Sequence, residues 1–508
     1  MPASIDPDRT EWDVVVIGGG PPGEVAAQYA TQDSGLEAVI VEAELVGGEC
    51  SYWACMPSKG LLRPVEVLDL GRHLAGVKEA IGDRTVDVDA VLARRDSIVN
   101  HLDDSSQVQW CMTTGIDVIR GHGRLDGERR VVVTKPDGGT RTITARQAVV
   151  LGTGTSASVP DIPGLRAARP WISRDVTNLH TVPRRVVIVG GGPVACEAAT
   201  WLLGLGVVEL TLVQDVPYLL AKNEPFAGAM VADGLRACGA RVELGTTVRS
   251  VSRAEVNAAG CGEIHGGEVV VTLAKGATVV ADEIVVAAGR RPRSDDIGLA
   301  SVGVEAGGFV TVDDHLTVTG VRGGWLYAVG DVNGRALLTH MGKYQARIAG
   351  AVIAARAQGK PLDGGTFSRH LDHADHDQVP QVTFTEPAVG SVGLTERDAR
   401  DAGIDVEAVE YDLAALGGTR VLRDDYVGRA KLVIDPSTDT VVGATFVGTE
   451  ISDLVHGATI AIVTKTPLAA LWHAVPSYPT PSEIWLRLLE TLAKQRSDTE
   501  IPGRLEPT

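Results

Sequence analysis

Two stretches of the chain share one pattern of apolar and polar positions. Val14 to Ile17 form an unbroken apolar run, as expected of a buried strand. Gly18-Gly-Gly20-Pro-Pro-Gly23 follows, then an Ala-rich helical segment, then a second apolar run, Ala38 to Val41, that stops on Glu42. Strand, glycine turn, helix, strand and acidic end in this order predict a dinucleotide-binding βαβ unit. Gly18 makes the tight turn, Gly20 lets the backbone approach a pyrophosphate, and Gly23 lets helix pack on strand. Glu42 can accept a hydrogen bond from a ribose hydroxyl. The pattern returns at Arg185 to Gln214, with Gly190, Gly192 and Ala195 in the turn positions. Here the second strand ends on Gln214, where a carboxylate would favour NADH and a following Arg would favour NADPH. Gln214 can bond to either, and Asp215 to Ala221 hold no Arg or Lys, so both nucleotides stay open with a lean to NADH. Two such units predict two dinucleotides bound together, as hydride transfer from a nicotinamide to a flavin requires. Further on, Gly428 to Gly448 reads as a hairpin with its turn at Pro436 to Asp439.

Length and charge narrow the class. A chain of 508 residues is too long for one ordinary core and predicts two to four domains. Hydrophobic residues at 44% and charged residues at 22% fit a globular protein in water. The net charge of −18, with no run of Lys or Arg, argues against a nucleic-acid partner, since binding would begin against phosphate repulsion. No apolar stretch approaches the ~20 residues of a membrane-spanning helix. The first residues lack the basic and apolar regions of a signal peptide and read as a mobile tail, so a cytoplasmic location is expected. In that setting six cysteines do not form a disulfide scaffold, and a close pair reads as catalytic or metal-binding.

That pair is Cys50 and Cys55, within Gly47-Gly48-Glu49-Cys50-Ser-Tyr52-Trp53-Ala-Cys55-Met-Pro57-Ser-Lys59. Positions five apart on a helix lie about 140° from each other. Distortion of a first turn, with which Pro57 is compatible, can bring the sulfurs together, and a helix N-terminus lowers a thiol pKa. Two buried cysteines serving as small hydrophobes are the plain alternative. Zinc is another, although no second Cys/His pair at ligand spacing accompanies this one. Tyr52 and Trp53 read equally as helix packing or as an aromatic wall suited to a planar acceptor. His370, His373 and His376 form His-x-x-His-x-x-His in a polar linker, read as a solvated loop, and no metal site is expected. Cys111, Cys196, Cys238 and Cys261 read as buried or incidental thiols.

The cysteine motif after an N-terminal dinucleotide unit resembles that of the pyridine nucleotide-disulfide oxidoreductases. Further segments resemble the same family in order: Leu151-Gly-Thr-Gly154-Thr155, Ala288-Gly289-Arg-Arg-Pro292, Tyr327-Ala-Val-Gly-Asp331, Val379 to Pro387 and Ser391 to Glu396. The resemblance implies an α/β fold with two Rossmann-like domains, for FAD and NAD(P), plus a C-terminal α+β dimerisation domain. The implied FAD domain covers 1–160 and 290–365, the NAD(P) domain 161–289, the interface domain 366–495, and a tail 496–508. It further implies FAD held by Gly18, Gly20, Gly23, Glu42, Gly48, Lys59, Gly154 and Asp331, the last on the ribityl chain. NADH or NADPH would lie on Gly190, Gly192, Ala195, Gln214 and Gly289. Lys59 would sit near flavin N5, paired with Glu197; Cys55 would be the flavin-proximal sulfur and Cys50 the sulfur that attacks substrate. A homodimer is implied, because the partner subunit completes the site with a His-Pro-Thr-x-x-Glu motif. Here the matching stretch places Tyr478 where the His is expected, with Glu483 retained. Tyr, with a pKa near ~10 against ~6.5 for His, is a donor and a poor base at neutral pH. The expected activity is electron transfer from NAD(P)H through flavin to Cys50–Cys55 and on to a small acceptor, a disulfide or related thiol-reactive molecule. The alternatives are direct reduction of a quinone or other electrophile, transhydrogenation, or mercuric-ion reduction. The last is weakened because no cysteine follows Cys261.

Overall fold

The computed structural model describes residues 8–257 and 259–500. Contacts divide the chain into two compact units. One comprises the chain up to Gly60, Leu92–Ser158 and Gly289–His376; the other comprises Leu61–Val91, Val159–Ala288 and the chain from Asp377 onward.

The first unit is built on β1 (Glu11–Ile17), α1 (Pro21–Thr31), β2 (Ala38–Glu42) and β3 (Ile116–Arg120). These strands pair in parallel, and Thr140–Leu151 flanks β1 on its other side, followed by Leu326–Ala328. The hairpin strands His122–Leu125 and Arg130–Thr134 extend the sheet in antiparallel fashion. Both faces of β1 are buried: Trp12, Val15 and Ile17 pack on one side, Val14 and Val16 on the other with Ala26, Ala27 and Ala30 of α1. This is why the run carries no polar alternation. The small side chains of α1 let the helix Thr339–Ala357 approach closely; a Cβ on its Gly350 would come within 2.6 Å of Tyr29.

The second unit repeats the device. Arg185–Val189 pairs in parallel with Glu209–Val213 and Glu283–Val286, with the helix Pro193–Gly204 between the first two. Its C-terminal part is an antiparallel sheet in which Arg429–Asp435 and Thr440–Gly448 form the hairpin read from the sequence. Helices Leu454–Val463 and Ile484–Glu500 cover that sheet. The last helix continues through Glu500, into the stretch read as a tail, and Arg496 anchors it by bonds to Glu407 and Asp439. Residues 501–508 of that tail, and residues 1–7 of the N-terminal stretch read as a mobile tail, lie outside the described residues. No helix among the described residues is long and apolar enough to cross a membrane.

Candidate active site

The first glycine turn is sterically exact in its demands. A Cβ on Gly18 would lie 2.5 Å from the carbonyl oxygen of Gly152, and one on Gly23 would lie 2.0 Å from that of Gly18. A Cβ on Gly20, by contrast, would clash with nothing and meet only ordinary contacts, Gly48 at 3.9 Å and Pro22 at 4.0 Å. That is the cradle a pyrophosphate needs, at the start of a helix with Pro21 in its first position. Glu42, at the end of β2, accepts from the amides of Gly19 (2.6 Å) and Glu44 (2.7 Å). Each carboxylate oxygen keeps a second acceptor site for a ribose hydroxyl. Burial pushes the Glu42 carboxyl up, against these two amides. Gly48, at φ +60°, lies so near the turn that a Cβ would meet Gly20 at 2.7 Å. Gly154, at φ +68°, faces open space. Asp331 accepts from Thr155 Oγ1 (2.7 Å), and Arg290 Nε lies 3.6 Å away. Burial raises the Asp331 carboxyl, while Thr155 and Arg290 oppose the rise. These residues fit FAD by their glycine cradle, acidic strand end and half-buried carboxylate.

In the second unit Gly190 and Gly191 are tightly placed, the latter against the Gln214 side chain, where a Cβ would meet Cδ at 2.8 Å. Gly192 has nothing within 4 Å, and Ala195 is fully buried against the core. The same open-cradle geometry suits a second dinucleotide. Glu197 is buried on the helix Pro193–Gly204, and its Oε1 accepts from the amide of Phe384 (3.0 Å). Gly289, at φ +120°, has only Ser158 at the 4.0 Å limit.

Cys50 and Cys55 lie on two helices rather than in one distorted turn. Cys50 belongs to α2 (Gly48–Tyr52), and Cys55 opens α3 (Cys55–Arg72), with Trp53 at φ −133°, ψ 0° breaking the chain between them. Pro57 therefore falls in a first turn, where its missing N–H costs little, and is not the source of the distortion. Both cysteines are half-buried. A hydrogen bond to Cys55 pushes the Cys50 thiol up, burial adds to it, and Thr339 and Lys343 act in the opposite direction. The direction at Cys50 is thus opposite to the lowering expected of a helix N-terminus. Thr339 Oγ1 lies 3.3 Å from Cys55 Sγ. Thr339 and Lys343, one turn apart on the long helix, escaped the sequence reading because neither belongs to a motif near the cysteines. Tyr52 is buried, which favours its packing role. Lys59 lies one turn into α3.

Tyr478 is 76% exposed and packs its ring edge beside Gly417, where a Cβ would meet the hydroxyl at 3.0 Å. Glu483 is buried; Oε1 accepts from Arg487 (2.6 Å) and Oε2 has no partner. No hydrogen bond joins Tyr478 to Glu483 among the described residues. Among those residues, too, no group of three His, Cys, Asp or Glu side chains is arranged to hold a metal ion.

The sequence profile of the pyridine nucleotide-disulphide oxidoreductases matches residues 12–359, and the profile of their dimerisation domain matches 379–488. The chain belongs to this family. Pyridine nucleotide-disulphide oxidoreductases are FAD-dependent enzymes that use NAD(P)H, and the mixed α/β fold with its dimerisation domain is theirs. A dihydrolipoyl dehydrogenase of Chlamydia muridarum is 30% identical over 478 residues, covering 93% of this chain and 95% of the relative. A mercuric reductase of Staphylococcus aureus is 28% identical over 485 residues, covering 94% and 82%. The structure of the HOCl-induced flavoprotein disulfide reductase RclA from Escherichia coli aligns with a TM-score of 0.77, covering 94% of this chain and 99% of that one. At 24% identity, this last likeness speaks to the fold.

Proposed function

We propose that this oxidoreductase passes electrons from NAD(P)H to the Cys50–Cys55 pair and on to a small thiol-reactive acceptor, and that it works as a homodimer. The observation that carries this reading is the mutual contact of the two sulfurs at a helix break, with Thr339 beside Cys55. FAD, when bound, supplies the route for an electron pair from the nicotinamide to the disulfide. Gly18, Gly20, Gly23, Glu42, Gly48, Lys59, Gly154 and Asp331 would hold it, and Gly190, Gly192, Ala195, Gln214 and Gly289 would hold the nucleotide.

Once the pair is a dithiol, the contact with Cys55 holds the proton on Cys50, and the Thr339 hydroxyl stands beside Cys55 Sγ. Cys50 must lose that proton to attack. For a disulfide acceptor, Cys50 sulfur bonds to one acceptor sulfur and the other leaves as a thiolate. Cys55 then attacks Cys50, releases the second thiol and closes the Cys50–Cys55 bond, so two electrons reach the acceptor. Tyr478 of the partner subunit would stand in the acid/base place, as a donor to the leaving sulfur more readily than as a base for Cys50.

The separation of Tyr478 from Glu483 and the engagement of Glu483 by Arg487 favour a second reading, direct reduction of a quinone or other electrophile from flavin. Cys50→Ser discriminates. With NADH and NADPH offered separately, the disulfide route predicts at least a hundredfold loss of turnover toward a small aromatic disulfide and toward a quinone alike. Undiminished quinone turnover in that variant would establish the direct route instead.

A further inference from the structure

Behind the loop that carries Asp331 lies a set of buried polar groups that the reading above leaves without a task. Gln345, fully buried on the helix Thr339–Ala357, accepts at Oε1 from the Gly330 amide (2.9 Å) and from Asn333 Nδ2 (2.9 Å). Its Nε2 donates to Asp375 Oδ2 (3.2 Å). One amide side chain therefore ties the Asp331 loop to the segment 370–376. A second tie runs through Arg335, whose amide donates to Asn333 Oδ1 (3.0 Å) and whose Nε lies 2.7 Å from Asp375 Oδ2.

The segment holding Asp375 is the polar linker with three histidines, and its two carboxyl side chains are buried although His376 is exposed. Asp372 is 0% exposed, and the Asp375 side chain is 1% exposed. Both oxygens of Asp372, Oδ1 of Asp375 and Nε2 of His373 are buried with no hydrogen-bond partner. Yet the two carboxyl groups face each other at hydrogen-bonding range. Two carboxylates are acceptors only and cannot bond to each other; a single proton makes one of them a donor and satisfies both.

We propose that Asp372 and Asp375 share one proton and that this acid pair, acting through Gln345 and Arg335, positions the loop Gly330–Asn333 for FAD. Both are positioning residues. The proposal rests on the reading of the Asp331 loop as the flavin loop.

The surroundings are consistent with a held proton. From the same segment, His376 Nε2 lies 3.5 Å from Asp375 Oδ1 and 3.0 Å from Asp314 Oδ1. From the residues before the loop, the Asp314 carbonyl accepts from the Asp372 amide (2.8 Å), and His315 Nδ1 meets the His370 carbonyl (2.6 Å). From the long helix, the Tyr344 hydroxyl accepts from the His373 amide (3.1 Å). Arg335 is the cation that faces the pair, and it also binds Asp314 (2.8 Å). Burial, then the contact with Asp375, raises the Asp372 carboxyl to about 8, with Arg335 opposing. A carboxyl raised on folding contributes stability in full below its unfolded value near ~4, and that contribution is lost as pH rises through about 8. Above that point two buried negative charges share one guanidinium, and the repulsion loads the contacts to Gln345 and Arg335.

The test measures FAD release from the holoenzyme by flavin fluorescence, from about pH 6 to about pH 10. For the wild type the FAD dissociation constant is expected to rise several-fold as pH passes about 8, no more steeply than tenfold per pH unit, because one proton is involved. Asp372→Asn supplies a permanent donor to Asp375 and is expected to flatten the profile. Asp375→Asn keeps a donor between the two positions and serves if the first variant does not fold. A wild-type profile that is flat, or an unaltered rise in the Asn variants, overturns the proposal. Asp331→Ala separates the two readings: loss of FAD at every pH upholds the flavin loop, and unchanged retention removes the basis of that assignment.

Discussion

Glu24 illustrates how a single side chain can carry pH dependence into this site. It lies in the first turn of α1, beside the glycine cradle, and burial lifts its carboxyl to about 7, with Lys343 opposing and Glu42 adding to the rise. Its folded pKa lies above its unfolded value, so folding favours the protonated acid. The associated stability is complete below about 4.5 and declines as pH rises through about 7. Removing the charge should therefore matter only on the alkaline side. Glu24→Gln is expected to raise stability by up to about 3 kcal/mol at pH near 8 and to leave it nearly unchanged near pH 5. Thermal unfolding of the flavin-free chain at both pH values checks this; an equal shift at both would rule out burial of the charge as the cause. Lys343 also favours the thiolate of Cys50, so protonation of Glu24 leaves that cation with one fewer carboxylate to offset it.

At the scale of elements, the two βαβ turns were readable because Gly18, Gly23 and Gly190 are demanded for want of space, and the glycines fall at fixed spacing in the chain. The hairpin before Gly448 was readable for a similar reason: the alternation and the turn residues are neighbours in sequence. What escaped the sequence depends on contacts between distant segments. Thr339 reaches Cys55 across 284 positions, and Gln345 meets Asp375 from a helix that carries no motif at that point. The burial of Asp372 and Asp375 in the three-histidine segment was hidden because polarity alone does not distinguish a solvated loop from one whose carboxyls are buried. The two turns also yield a contrast that tests the cradle argument. In Gly23→Ala the new methyl would lie 2.0 Å from the Gly18 carbonyl, so the turn must open; a loss above about 3 kcal/mol and release of flavin are expected. Gly192→Ala meets nothing within 4 Å and keeps an ordinary φ of −81°, so the melting temperature should hold. Its methyl instead enters the space proposed for the nicotinamide nucleotide, and the dissociation constant for NADH or NADPH should rise about tenfold or more. Titration of nucleotide binding together with thermal unfolding checks both variants, and tight nucleotide binding by Gly192→Ala would count against the cradle.

For the whole molecule the question is how many chains make one site. Near its end the dimerisation domain holds a segment that leaves large apolar side chains in water: Trp472 is 48% exposed, Val475 85% and Tyr478 76%. Apolar residues gathered in this way on a matched dimerisation domain call for a covering surface, and a two-fold axis can supply the same segment's counterpart from a second copy. Opposing this, each chain carries a net charge of −18, so two copies repel at long range and salt should strengthen their association. Val475→Asp adds a charge within the apolar segment without touching Cys50, Cys55 or the glycine cradles. It is expected to move the protein from dimer toward monomer in sedimentation, with flavin absorbance retained and disulfide turnover lost. Because the lesion would lie in association, mass action should restore part of that turnover as protein concentration and salt are raised. A Val475→Asp protein that sediments as a dimer yet has lost turnover would assign the segment to the chemistry alone. One that is monomeric and fully active would mean that a single chain suffices, and Tyr478 would then have no partner site to complete.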